Sequence, residues 1–235
     1  MRVLVVQNSP TSGAGRLDDW LADAGIEPVL TPGDDLPPDL AGFAGLILLG
    51  GGFVPDDDER HPWLAHERSL VSAALSAEMP ILGICLGAQL LAYVAGGTVT
   101  AQSGETERGM CALRVLPSAA GDPVFALLTE VGPLWMIQNH QDSVTALPAG
   151  AELLATSDAC AVQAFRVGSS AWGLQFHPEV RPERIADWNE AALSAQGIDR
   201  AALATAALER ADENATQAEA LVRAWAEVVC APVPK

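Results

Sequence analysis

A cysteine lies between two glycines in Gly83-Ile84-Cys85-Leu86-Gly87, and a histidine stands two residues before an acid in His177-Pro178-Glu179. Together these residue types can carry out nucleophilic chemistry. The histidine takes the thiol proton, and the acid fixes the histidine tautomer and stabilises the imidazolium. The cysteine pentapeptide follows an apolar run and precedes a helical stretch, as in a cysteine version of the G-x-S-x-G nucleophile elbow. A nucleophile at a tight strand-to-helix turn needs neighbours without side chains, because backbones approach closely there. The helix start offers N–H groups and the positive end of a dipole, which favour negative charge on sulfur and on a developing oxyanion. Taken alone, the pentapeptide is equally a plain turn around a buried cysteine.

The second signal is Trp172-Gly173-Leu174-Gln175-Phe176-His177-Pro178-Glu179. An apolar strand delivers the histidine at its end, and Pro178 stops a regular ladder. In extended backbone the two-residue spacing puts His177 and Glu179 on one side, within reach of each other. An isolated His-Pro-Glu is more often a surface histidine beside an unrelated acid. After an apolar strand, in a chain with a cysteine elbow, the two signals support one another.

The elements that would position these residues alternate in the N-terminal half. Arg2–Val6 reads as a strand, Arg16–Ala24 as a helix and Pro28–Leu30 as a short strand. Gly45–Leu49 is an apolar run ending in Gly50-Gly51-Gly52. Pro62–Ala77 reads as a helix, Pro80–Ile84 as a buried strand, and Ala88–Ala95 as a helix closed by Gly96-Gly97. This alternation predicts an α/β fold, an open and mostly parallel sheet with helices on both faces. Short strand candidates follow at Thr98–Val115, Gln141–Ala146, Glu152–Thr156, Ala161–Val167 and Ala171–Gln175, which fit antiparallel additions. From about Pro182 the chain reads as helical, with alanine-rich amphipathic stretches at Ala201–Ala211 and Thr216–Val229. The expected organisation is one domain over 1–190 and a helical C-terminal tail over 191–235 packed on it.

Among 235 residues, 30 are acidic and 13 basic, a net charge of −17. Such a surface repels phosphate backbones and anionic membrane, so neither is an expected partner. No apolar run approaches the ~18 residues of a membrane helix, and Val3–Val6 is shorter than a secretory h-region of roughly 7–15 residues, so the expected location is the cytoplasm. The four cysteines, at 85, 111, 160 and 230, form no CxxC pair. A zinc site or disulfide framework is not expected, and Cys111, Cys160 and Cys230 read as packing residues.

Pro80-Ile81-Leu82-Gly83-Ile84-Cys85-Leu86-Gly87-Ala88-Gln89 with Gly173-Leu174-Gln175-Phe176-His177-Pro178-Glu179 resembles the class I glutamine amidotransferases, most closely the stand-alone GMP synthetase-type glutaminase domains. The resemblance covers roughly residues 1 to 190. It implies the flavodoxin-like fold of that family and hydrolysis of the glutamine side-chain amide through a γ-glutamyl thioester, without cofactor or metal. It assigns Cys85 as nucleophile, His177 as base and Glu179 as orienting acid. Gly51 and Leu86 would supply the oxyanion-hole N–H groups. Gly52, Gln89, Asn139, Gln141 and Asp142 would contact substrate, the last three within Gln138-Asn139-His140-Gln141-Asp142. Departures concern the pocket: Phe53 stands where relatives often have proline, Gln141 where they often have glycine, and Glu107-Arg108-Gly109-Met110 where Glu-Ile-Gly-Trp is frequent.

Only about 45 residues follow the family-like region, too few for a nucleotide-using acceptor domain, and no P-loop is present. The resemblance therefore leaves three functions open. The leading expectation is hydrolysis of a γ-glutamyl amide, with glutamine favoured, by an enzyme that works alone. The second is a glutaminase subunit that donates ammonia to a synthase partner. The third is a catalytically silent binding subunit, against which the complete triad weighs.

Overall fold

The computed structural model describes residues 1–231; the last four residues of the expected tail, 232–235, lie outside the described residues. In chain order the elements are β1 (Arg2–Gln7), α1 (Leu17–Asp23), β2 (Glu27–Pro32), β3 (Gly45–Leu48), α2 (Leu64–Ser76), β4 (Ile81–Ile84), α3 (Leu86–Val94), β5 (Thr98–Thr100), β6 (Glu107–Val115), β7 (Leu134–His140), β8 (Ser143–Ala146), β9 (Glu152–Thr156), β10 (Ala164–Val167), β11 (Ala171–Leu174), α4 (Glu190–Ser194), α5 (Arg200–Leu208) and α6 (Ala211–Cys230). Nine strands form one sheet in the order β2-β1-β3-β4-β11-β10-β9-β6-β7, and β5 pairs with β8 separately. The first five strands in that order are parallel, and the remaining pairings are antiparallel.

The apolar runs explain the parallel half. Val3 to Val6 are all fully buried, as are the strand residues of β3 and β4, because helices cover both faces of the sheet. Successive residues serve opposite cores. Val3, Val5, Ile47 and Leu82 join Leu17 and Leu21 of α1 and Leu221, Val222 and Trp225 of α6. Leu4, Val6, Leu46 and Leu48 join Leu70 and Val71 of α2 and Leu90 and Leu91 of α3. The buried stripe of α6 runs through Asn214, Ala218, Leu221, Val222, Trp225 and Val229, the spacing of a helix with one face on a core.

Several expected elements differ. The 98–115 segment is two strands in different sheets, because Gly104 at φ +89° turns the chain between them. The strand expected at Ala161 begins at Ala164, and Ala211 opens α6 rather than closing α5. Strand β7 has no counterpart among the strands expected from the sequence. Its Gln138 and His140 point into a buried polar network instead of an apolar core, which masks the alternation that marks a half-buried strand.

One buried acid underlies the turn after β3. The Glu67 carboxylate accepts from Asn8 Nδ2 at 2.9 Å, and Asn8 also binds Leu49 O and Trp63 Nε1. Burial pushes the Glu67 carboxyl up from 4.5 to about 7, outweighing the Asn8 hydrogen bond. The folded chain therefore holds a proton that the unfolded chain has lost between those pH values, so stability falls as pH rises through this window. Glu67→Gln is expected to leave stability unchanged near pH 4 and to raise it by roughly 2–3 kcal/mol at pH 8. Urea denaturation at the two pH values checks this, and an equal effect at both would count against it.

Candidate active site

Strand β4 ends at Ile84, and Cys85 caps α3 with φ +53° and ψ −107°. A side chain in that left-handed region is strained, and the strain projects the thiol from the turn. The surroundings hold the turn in place. Cys85 N donates to Leu174 O of β11 at 2.7 Å, and Gln89 N donates to Cys85 O to start the helix. The flanking glycines are required by close approach. A Cβ on Gly83 would lie 2.5 Å from Gly87 O, and one on Gly87 would overlap the Leu48 carbonyl.

His177 arrives just past β11, tied by its N–H to Ile137 O of β7 at 2.9 Å. Its Nδ1 lies 2.7 Å from Glu179 Oε1, with both side chains largely buried. Its Nε2 has no hydrogen-bond partner among the described residues. The point where a Cβ on Gly50 would sit is 3.2 Å from His177 Cε1 and 3.6 Å from Cys85 Cβ. The Cys85 side chain and the His177 imidazole thus face each other across the glycine turn. Burial disfavours a charged imidazole here, but Glu179 and then Cys85 outweigh it and hold His177 well above the ordinary histidine value. The arrangement can hold an imidazolium beside a thiolate and pass the proton to a leaving group.

The other expected site residues divide into groups. Gly51 and Leu86 are adjacent, since a Cβ on Gly51 would meet Leu86 Cδ2 at 2.6 Å. Asn139 is exposed and lines a cavity of about 810 Å³ together with His177, Glu179 and Arg108. Gly52, Gln89, Gln141 and Asp142 do not line that cavity. Gln89 is buried, and its Nε2 donates to Asp142 O at 3.0 Å and to Gln175 Oε1 at 3.2 Å. Asp142 also accepts from Gln102 N. These two residues tie the β7–β8 turn to the elbow helix.

Three further residues at the site have no role assigned from the sequence. Gln175 Nε2 lies 3.6 Å from Cys85 Sγ as a donor. Arg16 donates through Nε and Nη2 to Pro178 O and through Nη2 to Asn214 Oδ1 of α6. Burial lowers the Arg16 guanidinium to about 10. Gly15, at φ +56°, leaves room for the Glu179 carbonyl, which accepts from Arg16 N at 3.0 Å. The histidine–acid turn is thereby fastened to both α1 and α6. Only Gln175 could have been suspected, because it precedes His177 by two residues in extended chain and shares its side.

Glu107, His140 and Cys160 bring potential metal-ligand atoms within 4.8 Å of one another in the interior. Glu107 already receives Gln163 Nε2 and pairs with His140 Nε2, and Gln138 Nε2 donates to Gln163. Together these side chains form a hydrogen-bonded floor beneath the 138–142 segment. No helix among the described residues is long and apolar enough to cross a membrane.

Residues 17–187 match the model of the family described as glutamine amidotransferase class-I. A glutamine-hydrolysing GMP synthase from Porphyromonas gingivalis is 36% identical over 154 residues, 63% of this chain and 27% of that relative, so the chain spans about a quarter of its length. A protein from Natronomonas pharaonis, named as one subunit of a glutamine-hydrolysing GMP synthase, is 34% identical over 161 residues, 68% of this chain and 78% of the relative. The crystal structure of a glutamine amidotransferase from Thermotoga maritima superposes with a TM-score of 0.84 at 27% identity, covering 97% of this chain and 98% of that one. With a cysteine elbow, a histidine–glutamate pair facing it and a family match over most of its length, the chain belongs to the class I glutamine amidotransferase family.

Proposed function

We propose that this chain hydrolyses the side-chain amide of glutamine and donates the ammonia to a separate synthase subunit. The observation that carries the reading is Cys85, strained at the start of α3 and facing an imidazole that Glu179 holds at 2.7 Å. Cys85 Sγ attacks the amide carbon, and the Gly51 and Leu86 N–H groups receive the oxyanion. His177 protonates the departing ammonia, leaving a γ-glutamyl thioester. His177 then takes a proton from water, which attacks the thioester and releases glutamate. The donor role is supported by the Natronomonas relative, which is named as one subunit of a glutamine-hydrolysing synthase and whose length this chain largely spans. That support reverses the sequence-based ranking, in which an enzyme working alone came first.

A free-standing γ-glutamyl amide hydrolase is the second reading. In its favour is the cavity of about 810 Å³ beside His177, larger than ammonia as leaving group requires. Steady-state glutamate release from glutamine separates the two readings. For a donor subunit, turnover by the purified chain should be low and should rise about 10- to 100-fold when the co-purified synthase subunit is added, the scale of a coupling free energy between sites. Turnover on the order of 1 per second alone, unchanged by the co-purified subunit, would establish the free-standing hydrolase instead.

A further inference from the structure

Arg108 stands in β6 where the family often has an apolar residue, and the structure gives it an unusual position. The chain holds 30 acidic residues against 13 basic ones, and arginines such as Arg60, Arg68, Arg114, Arg166 and Arg200 pair with carboxylates. The half-buried Arg108 has no such partner among the described residues. Its Nη1 donates to the backbone carbonyls of Glu107 and His140, which fixes the plane of the guanidinium. Its Nε and Nη2 donate to nothing among the described residues. Arg108 lines the same cavity as Asn139, His177 and Glu179. Burial weakens its hold on the proton, while Cys85 and Asp142 strengthen it, so its charge is felt at the nucleophile.

An oriented cation, half out of water and without a counter-ion, is suited to an anionic ligand group that offers two oxygens. Glutamine brings one such group. When its γ-carbonyl is at Cys85, its α-carboxylate lies at the other end of a short chain, and the cavity that Arg108 lines, which Cys85 itself does not line, adjoins Cys85 through His177. Resting on the glutamine-hydrolysis reading above, we infer that Arg108 is a specificity-determining residue that binds the substrate α-carboxylate through its unpaired guanidinium nitrogens. Asn139, exposed on the neighbouring strand in register with Arg108, flanks the same position.

The test compares two reagents on Cys85 in the full chain, followed by mass spectrometry of digested peptides. One is the chloroketone analogue of glutamine, which carries the α-carboxylate. The other is iodoacetamide, which is small and neutral. The ratio of their second-order rates cancels any change in thiolate population. Arg108→Met should slow the chloroketone about 10- to 100-fold relative to iodoacetamide, the effect of losing a charge-assisted contact. Arg108→Lys should recover part of it. An unchanged ratio, including equal slowing of both reagents, overturns the inference and makes Arg108 a structural or thiolate-stabilising residue. If the wild-type chloroketone shows no preference for Cys85 over exposed Cys230, the amidase reading fails along with it.

Discussion

Cys85→Ser is expected to lower glutamine hydrolysis by roughly 10⁴-fold or more while the protein stays folded. The reason is chemical rather than structural. A serine fits the same space at φ +53°, but its hydroxyl is far less acidic than a thiol, so the anionic nucleophile of a thiolate–imidazolium pair is lost. Circular dichroism and thermal melting should match the wild type. Near-normal turnover in clean Cys85→Ser protein would rule out the thioester route. Selective labelling should accompany the loss. Burial pushes the thiols of Cys111 and Cys160 up to about 12, with nearby glutamates adding to the effect, so neither supplies thiolate at neutral pH. Cys230 is exposed but lacks the glutamyl-binding surroundings. The glutamine-like chloroketone should therefore modify Cys85 well ahead of the other three.

His177→Ala is expected to be about as damaging as loss of the nucleophile, because groups that act as a unit fail as a unit. Glu179→Gln should be milder, about 10²-fold, since the acid orients and does not react. It should also change the pH profile. Burial works against the imidazolium, and Glu179 is the largest of the influences that hold it charged. Without that carboxylate the proton leaves at lower pH, so the alkaline limb of the rate profile should move to lower pH. A pH–rate profile of wild type and Glu179→Gln measures the shift. An unmoved alkaline limb, or a Glu179→Gln variant worse than His177→Ala, would reverse the roles assigned to the two residues.

Coupling of the C-terminal helix to this chemistry runs through named contacts. Asn214 of α6 holds Arg16, and Arg16 holds the Pro178 carbonyl between the histidine and the acid. Asn214 also donates to Trp135 O of β7, the strand whose Ile137 carbonyl anchors the His177 backbone. Residues outside the two motifs thus set the position of His177, and the chain past residue 190 forms part of its support.

The sequence by itself determined what depends on neighbours along the chain. Two glycines around Cys85, the apolar runs of β1, β3 and β4, and the two-residue spacing of His177 and Glu179 are local patterns. Local backbone sterics and side-chain periodicity were enough to read the elbow, the parallel strands and the histidine–acid pair. Tertiary structure alone decided what depends on pairing across the chain. Strand β7 was hidden because two of its inward residues, Gln138 and His140, are polar and find partners only on β6 and beside β10. Arg108 and Asn139 share a cavity with His177 because β6 and β7 pair in one register and β7 bridges to His177. Gln175 meets Cys85, and Arg16 meets Asn214, across 90 and 198 residues of sequence separation. Such contacts have no signature in spacing, since what brings them together is the burial of both sheet faces and the strand order that this burial selects.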